Sequence, residues 1–434
     1  MTTIYVADYG DGTPSYSNVT AAIADATYND TVIVSAGSEI WADTLALTKA
    51  IILKGAGIGV TNITKAGDTI QYNPDATSAS NDYRFEIDGF SLSGGILLID
   101  SGPSHDTQSV AKSKIVIGNN SFSDIYIDGT FWGVIYNNTL TSSGDVIGVI
   151  GNGIGDFNRY DDYLAFGGSR LMYIEDNTFT GDGWYTETGN GSRWAWRYNT
   201  NSGASAGVYP LLDEHGCQDS GNPGTMIAEI YGNIFNFDSG GTWNYQRGGR
   251  VLMFNNRNTG NDVDNIWQED SYDPDVDCNV DWEPASEIVS PNTSYFWNNW
   301  VVGYHEPKNC TIGNNPFGHL GLNVTAWNYN ANTLNGGTEK GINIGSGSPP
   351  ATCSTGDGYW KTTYAVGSTP PTTLAEMRTY CQAGTFYRAT GTNTWDSGIQ
   401  MYEYPHPLRG GTKKPSSPQN IRVSAITRRL HPKI

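Results

Sequence analysis

Seven times between residues 119 and 300 the chain returns to one short pattern: an apolar or aromatic residue, Asn-Asn or Asp-Asn, Thr or Ser, then an apolar residue. The pattern is tightest at Asn119-Asn120-Ser121-Phe122, Tyr136-Asn137-Asn138-Thr139-Leu140 and Asp176-Asn177-Thr178-Phe179. Looser copies stand at Tyr198-Asn199-Thr200, Tyr231-Gly232-Asn233-Ile234-Phe235, Phe254-Asn255-Asn256 and Trp297-Asn298-Asn299-Trp300. From Asn120 through Asn138, Asn177, Asn199, Asn233, Asn256 and Asn299 the steps are 18, 39, 22, 34, 23 and 43 residues. A short step fits one coil of a solenoid. A long one fits one coil with a loop inserted, or two coils. Asn tolerates the left-handed conformation of a tight corner. Stacked in successive coils, its side chains can hydrogen-bond up and down the stack. The apolar residue that follows points into the core. The pattern predicts an all-β, single-stranded right-handed parallel β-helix. Some ten to twelve coils stacking at about 4.8 Å would make a rod of roughly 50–60 Å.

Composition agrees. A chain of 434 residues exceeds one ordinary globular core, whereas each coil of a solenoid needs only its neighbours. Gly (53) and Tyr (26) are abundant and only 16% of residues are charged, so strand and corner formers dominate over helix formers. A net charge of −19 argues against nucleic acid, whose phosphates need a basic face. A polyanionic sugar would need a local basic patch or a bridging cation. No run approaches the roughly 20 apolar residues of a membrane span. Cys217, Cys278, Cys310, Cys353 and Cys381 show no CxxC spacing; one or two disulfides in the late loops are expected if the protein is extracellular. Met1-Thr2-Thr3 runs straight into Ile4-Tyr5-Val6 without a signal-like stretch. An extracellular, virion or cell-surface location is the expectation, with the export signal not visible.

The first 65 residues read as a cap and opening coils. Val19, Ala22, Ile23 and Ala26 have a helical period, and short strands follow. Asn29-Asp30-Thr31-Val32-Ile33-Val34, Ala36-Gly37 and Lys49-Ala50-Ile51-Ile52-Leu53-Lys54-Gly55-Ala56-Gly57 closely resemble the opening of pectate-lyase-like parallel β-helix proteins, in an uncharacterised bacterial and phage branch. That resemblance implies architecture far more than activity. Residues 66–340 are then the β-helix, with insertions expected at 150–170, 182–194, 201–224, 257–295 and 303–320. Residues 341–412 form a C-terminal cap region in which Thr373–Tyr380 is a short helix covering the last coil. Residues 413–434 are a tail or the start of a further module.

Chemistry concentrates between residues 182 and 250, where Asp182, Tyr185, Arg193, Arg197, Tyr209, Asp213, Glu214, His215, Arg247 and Arg250 fall. The offset between His215 and Arg247 is one coil plus a modest loop, so the two could face one groove. A uronate lyase needs a base beside a neutralised carboxylate: His215 or Tyr185 as base or acid, Arg247 and Arg250 as neutralisers. A glycoside hydrolase needs two carboxylates, drawn from Asp182, Asp213 and Glu214. The bland alternative is corner caps and ion pairs. No Arg-x-Pro-x-x-Arg of pectate lyases and no Gly-His-Gly of polygalacturonases is present. Trp184, Arg193, Trp194, Trp243 and Tyr245 are candidates for holding sugar rings. Calcium is the one cofactor suggested, at Asp270, Asp273, Asp275, Asp277 and Asp281, without EF-hand spacing. Two functions compete: an extracellular polysaccharide-degrading lyase or hydrolase, and a non-catalytic glycan-binding tailspike-like protein, adhesin or surface module, which would carry a homotrimer with it.

Overall fold

The computed structural model describes residues 1–99, 113–129, 131–141, 147–150, 166–181, 185–189, 192–204, 210–214, 225, 227–237, 242–246, 250–259, 265–269, 295–301, 326–327, 334–335, 342–354, 356–363 and 373–409. Short strands follow one another around three faces. A first sheet of 11 strands begins with Thr3–Tyr5 and ends with Tyr295–Trp297. A second of 10 runs from Gly37–Ile40 to Trp300–Val301, and a third of 9 from Leu45–Leu47 to Asn265–Glu269. Every pairing within these three sheets is parallel, and each coil gives one strand to each sheet in turn. The fold is an all-β parallel solenoid.

The core follows from alternation. In Ile96–Ile99 and Ile125–Asp128 every second residue is buried, because neighbouring side chains on a strand point to opposite faces. The inward residues form one continuous apolar cluster from Val6 to Met253. Helix α1 (Tyr16–Asp25) closes its open end. The Ser15 hydroxyl caps α1 by accepting from the Asn18 N–H, and Val19, Ala22 and Ile23 face the cluster.

The Asn corners lie between the first and second sheets, and the two residues of each pair divide the work. The first is left-handed: φ is 57° at Asn119, 52° at Asn137, 57° at Asp176, 52° at Asn255 and 50° at Asn298. The second makes the ladder. Asn138 Oδ1 accepts from the backbone N–H (2.9 Å) and Nδ2 (3.2 Å) of Asn120. Asn138 Nδ2 donates to Asn177 Oδ1 (2.9 Å) and to the Ile117 carbonyl (3.0 Å). The same contacts recur through Asn199, Asn233, Asn256 and Asn299. Every step of the repeat therefore joins adjacent coils, and each long step is a single coil. Asn177→Ala would orphan the buried Asn138 N–H and the Ile135 carbonyl, which Asn177 now satisfies. We expect a loss of about 3 kcal/mol in urea unfolding.

Gly232 replaces the first Asn of its pair because Tyr198 occupies the left-handed position one coil below (φ 59°). Its ring lies 2.6 Å from where a Gly232 Cβ would stand. Gly232→Asn should destabilise by about 2 kcal/mol through overpacking, and Tyr198→Asn in the same chain should recover most of that loss in a double-mutant cycle.

Several expected loops are in part strands. Thr186–Gly189, Pro210–Glu214, Arg257–Asn258 and Asn265–Glu269 fall inside the ranges read as insertions, and Arg193–Arg197 and Thr200–Ala204 overlap them. Their polar, Gly-containing sequences hide the strand period. The 303–320 insertion, the Asp270–Asp281 calcium candidate and the 413–434 tail lie outside the described residues.

The C-terminal segment does not simply cover the last coil. Its α-helix α2 (Leu374–Gln382), capped by a reciprocal Thr373–Glu376 box, lies against the outward face of the first sheet. Arg378 pairs with Asp176 (2.6 Å) and Gln382 donates to the Tyr198 hydroxyl (3.0 Å). There Tyr198, Tyr231, Leu252, Phe254, Tyr295 and Trp297 pack with Trp360, Cys381, Phe386 and Met401 in a second apolar cluster. Outward residues of these strands are apolar because they have a cover. Of the five cysteines, Cys353 and Cys381 are free and buried; the other three lie outside the described residues. Among the described residues no helix is long and apolar enough to cross a membrane.

A buried charged clamp holds this segment down. Fully buried Arg197 pairs with Glu175 (2.5 Å) and donates to the Tyr402 (2.7 Å) and Glu403 (3.0 Å) carbonyls. Arg409 pairs with Glu175 and Asp176, and the Tyr404 hydroxyl donates to Asp176. Two members titrate in opposition. Burial pushes the Glu229 carboxyl up to about 7, against the Gly167 N–H and Arg197. Burial and nearby Arg197 and Arg409 push His406 down to about 2; its Nδ1 accepts from the Leu408 N–H. The raised Glu229 contributes stability at low pH that is lost as pH rises from about 4.5 to 7. The depressed His406 contributes stability above about 6.5 that is lost as pH falls. Between about 4.5 and 6.5 the slopes offset. Glu229→Gln should expose the His406 slope, about 1.4 kcal/mol per pH unit below 6.5, in urea titrations from pH 7 to 5. An unchanged pH profile would contradict this.

Candidate functional site

The strand Pro210–Glu214 carries two of the expected acids, and alternation separates them. Leu212 belongs to the interior cluster, so Glu214 also points inward, where it is fully buried. Asp213 points outward from the third sheet. Adjacent strand residues point to opposite faces, so of the three candidate acids Asp182, Asp213 and Glu214, the last two do not face one groove together.

The register supplies a different partner. Glu187 stands opposite Asp213 on the neighbouring coil, and the backbones of parallel neighbours lie about 4.8 Å apart. Glu187 is half-buried and Asp213 is 2% exposed. In the backbone register, Tyr245 and then Gln268 take the next two positions above Asp213. Gly148 and then Tyr126 lie below Glu187. Gly148, which has no side chain, stands between Tyr126 and Glu187 in this register. Tyr126 is 40% exposed, and burial, Asp128 and Glu187 push its hydroxyl above the ordinary tyrosine range. Glu187 was not among the residues singled out from the sequence. Its signal was available in Thr186-Glu187-Thr188, where β-branched residues alternate with one acid.

Behind this face the interior turns polar. Thr186, Thr188, Glu214 and Asn244 are all buried, where earlier coils of the same sheet place Ile96, Ile125 and Ile147. The Thr188 hydroxyl donates to the Asp213 carbonyl (3.1 Å) and shares a 2.7 Å hydrogen bond with the Thr225 hydroxyl. This network fixes the backbone that carries Asp213.

No protein-family model matches the chain, and no curated protein matches it. Among solved structures it is similar to ORF18 of Geobacillus virus E2, with 12% identity and a TM-score of 0.32, over 92% of this chain and 75% of that one. So weak a likeness adds nothing to the fold described above.

Other expected site residues divide. Tyr185 and Trp194 are fully buried in the interior cluster. Trp194 meets Trp196 edge-on (6.3 Å); full burial corrects both the expectation of Tyr185 as base or acid and that of Trp194 as a platform for a sugar. Arg193 is half-buried at the start of its strand, and Arg250 starts a strand two coils above it. Trp243 lies on the same strand as Tyr245. Asp182, Trp184, His215 and Arg247 lie outside the described residues. The pairing of Glu214 with Gln246 places the preceding residues of His215 and Arg247 one coil apart.

Proposed function

We propose that this chain is an extracellular polysaccharide-degrading enzyme of the pectate-lyase-like β-helix type, and that it works as a glycoside hydrolase on the outward face of the third sheet. The observation that carries this reading is the register pair of Glu187 and Asp213. Hydrolysis of a glycosidic bond needs one carboxyl to protonate the leaving oxygen and a second to attack the sugar or to activate water. Carboxyls borne on adjacent coils, about 4.8 Å apart at the backbone, match the roughly 5–5.5 Å spacing of retaining enzymes better than the wider inverting one. Tyr126, separated from Glu187 by Gly148 in the register, offers a partly exposed ring and hydroxyl for a neighbouring sugar. A lyase reading would draw its base and cations from His215, Arg247 and Arg250.

The near-complete burial of Asp213 favours a second reading, a non-catalytic glycan-binding or surface structural protein in which this acid only braces loops. Incubation with a panel of neutral and acidic polysaccharides separates the readings. New reducing ends with retained anomeric configuration are the expected result. An unsaturated, ultraviolet-absorbing product would replace hydrolase by lyase, and no product from any glycan would leave the binding protein.

A further inference from the structure

At the corner between the second and third sheets, two acids converge on a glycine. Ile70, Ile96 and Ile125 stand in register on three successive coils and all belong to the interior cluster. The residues just before them are Thr69, Gly95 and Asp124, which alternation turns outward in one column. Gly95 has no side chain, so its place is open to the coils above and below. Asp124 Oδ1 reaches almost to where a Gly95 Cβ would stand, and Asp68 Oδ1 comes within 3.2 Å of the same point from the coil below. The two oxygens therefore lie within about 5 Å of each other, a span that one calcium ion bridges with ligands at about 2.3–2.6 Å.

Carboxylates this close repel one another, and among the described residues neither has an ion-pair partner. Lys65 acts on Asp68 from a distance, but its ammonium donates to the Ala66 carbonyl (2.8 Å). The Ser123 hydroxyl donates to Asp124 Oδ2 (2.6 Å), which leaves Oδ1 as the oxygen facing Asp68. A further observation is independent of the acids. Thr69 is 0% exposed, and among the described residues its hydroxyl has no hydrogen-bond partner, a costly state for a buried polar group. Its Oγ1 lies 2.8 Å from where a Gly94 Cβ would stand, so it opens onto the same Gly94-Gly95 pair as the acids.

We propose that Asp68, Asp124 and Thr69 form a calcium site that staples three successive coils at this corner. All three offer hard oxygen donors, the kind calcium takes. Two carboxylates balance the charge of a divalent ion, and the buried hydroxyl gains the partner it lacks. Calcium tolerates irregular geometry, whereas magnesium demands a near-ideal octahedron at about 2.0–2.1 Å. With so few protein ligands, water completes the shell and affinity is weak, about 10⁻⁴–10⁻³ M. The site uses no part of the polysaccharide reading and stands apart from the Asp270–Asp281 stretch.

The test is calorimetric titration of the chelator-treated full chain with calcium chloride, with magnesium chloride as the comparison. We expect calcium to bind the parent with a dissociation constant of about 10⁻⁴–10⁻³ M and magnesium to bind more weakly. Asp68→Asn and Asp124→Asn should each weaken this event roughly tenfold or more, and Thr69→Val about threefold. Thermal unfolding adds an independent readout. Without calcium the two Asn variants should be at least as stable as the parent, because one of two repelling charges is gone. With calcium only the parent's midpoint should rise. Glu187→Gln, two coils above Asp124 on the third sheet, should bind calcium as the parent does. No calcium binding by the parent below about 10 mM, equal binding by both Asn variants, tighter binding of magnesium, or a loss of binding confined to Glu187→Gln would each overturn the proposal. So would Asn variants clearly less stable than the calcium-free parent, since protein contacts would then be what holds the two acids together.

Discussion

Glu187→Gln is expected to lower glycan hydrolysis on the order of 10³-fold, with the coils intact. Glu187 is half-buried on an outward face, so an amide of the same shape disturbs little packing. Asp213→Asn should cost as much, because the two carboxyls act as a unit, and the double variant should be little worse than either single one. Roles follow from rescue. In a retaining enzyme, the alanine variant of the attacking residue regains turnover with azide and yields the inverted glycosyl azide. The variant of the acid regains turnover on substrates whose leaving group needs no proton. Activity surviving within a few-fold in both Glu187→Gln and Asp213→Asn would rule the pair out, whatever other residues then proved essential.

The second large effect is structural. Arg197→Met should destabilise the C-terminal segment by about 3 kcal/mol, since it leaves the fully buried Glu175 with Arg409 as its one cation among the described residues and opens two carbonyls that Arg197 satisfies. Coils far from the clamp need not unfold with it, because a solenoid's stability is shared mainly between neighbours. Limited proteolysis should therefore cut the segment from 374 to 409 away from an otherwise resistant body. Pairing Arg197→Met with Glu175→Gln should return part of the loss. A variant as protease-resistant as the parent would show that the apolar contacts of Trp360, Cys381 and Phe386 hold the segment alone.

The Asn ladder was legible because a corner imposes local chemistry. A left-handed residue must be followed by one whose amide can both donate and accept along the stack, and that requirement repeats in every coil. The positions Asn120 to Asn299 and their uneven spacing follow from it. The polar strands were not legible. Thr186–Gly189 and Thr242–Gln246 carry too few apolar residues to announce a strand, because their inward positions hold Thr186, Thr188 and Asn244 where an aliphatic side chain is the usual choice.

By itself, then, the sequence determined the solenoid, its capping helix and the register of its corners. Those depend on short-range pattern and on the conformations a single residue tolerates. Which acids share a face was decided only by tertiary structure. Glu187 and Asp213 are 26 residues apart in the chain and become neighbours only after one full turn of the solenoid, whose length no local rule predicts. The same holds for Arg197 and the carbonyl of Tyr402, which meet across 205 residues. An aromatic or an acid reads alike in a sequence whether it ends on the outer wall, in the core or beneath the clamp. The choice among these is made by alternation and by what packs against each face.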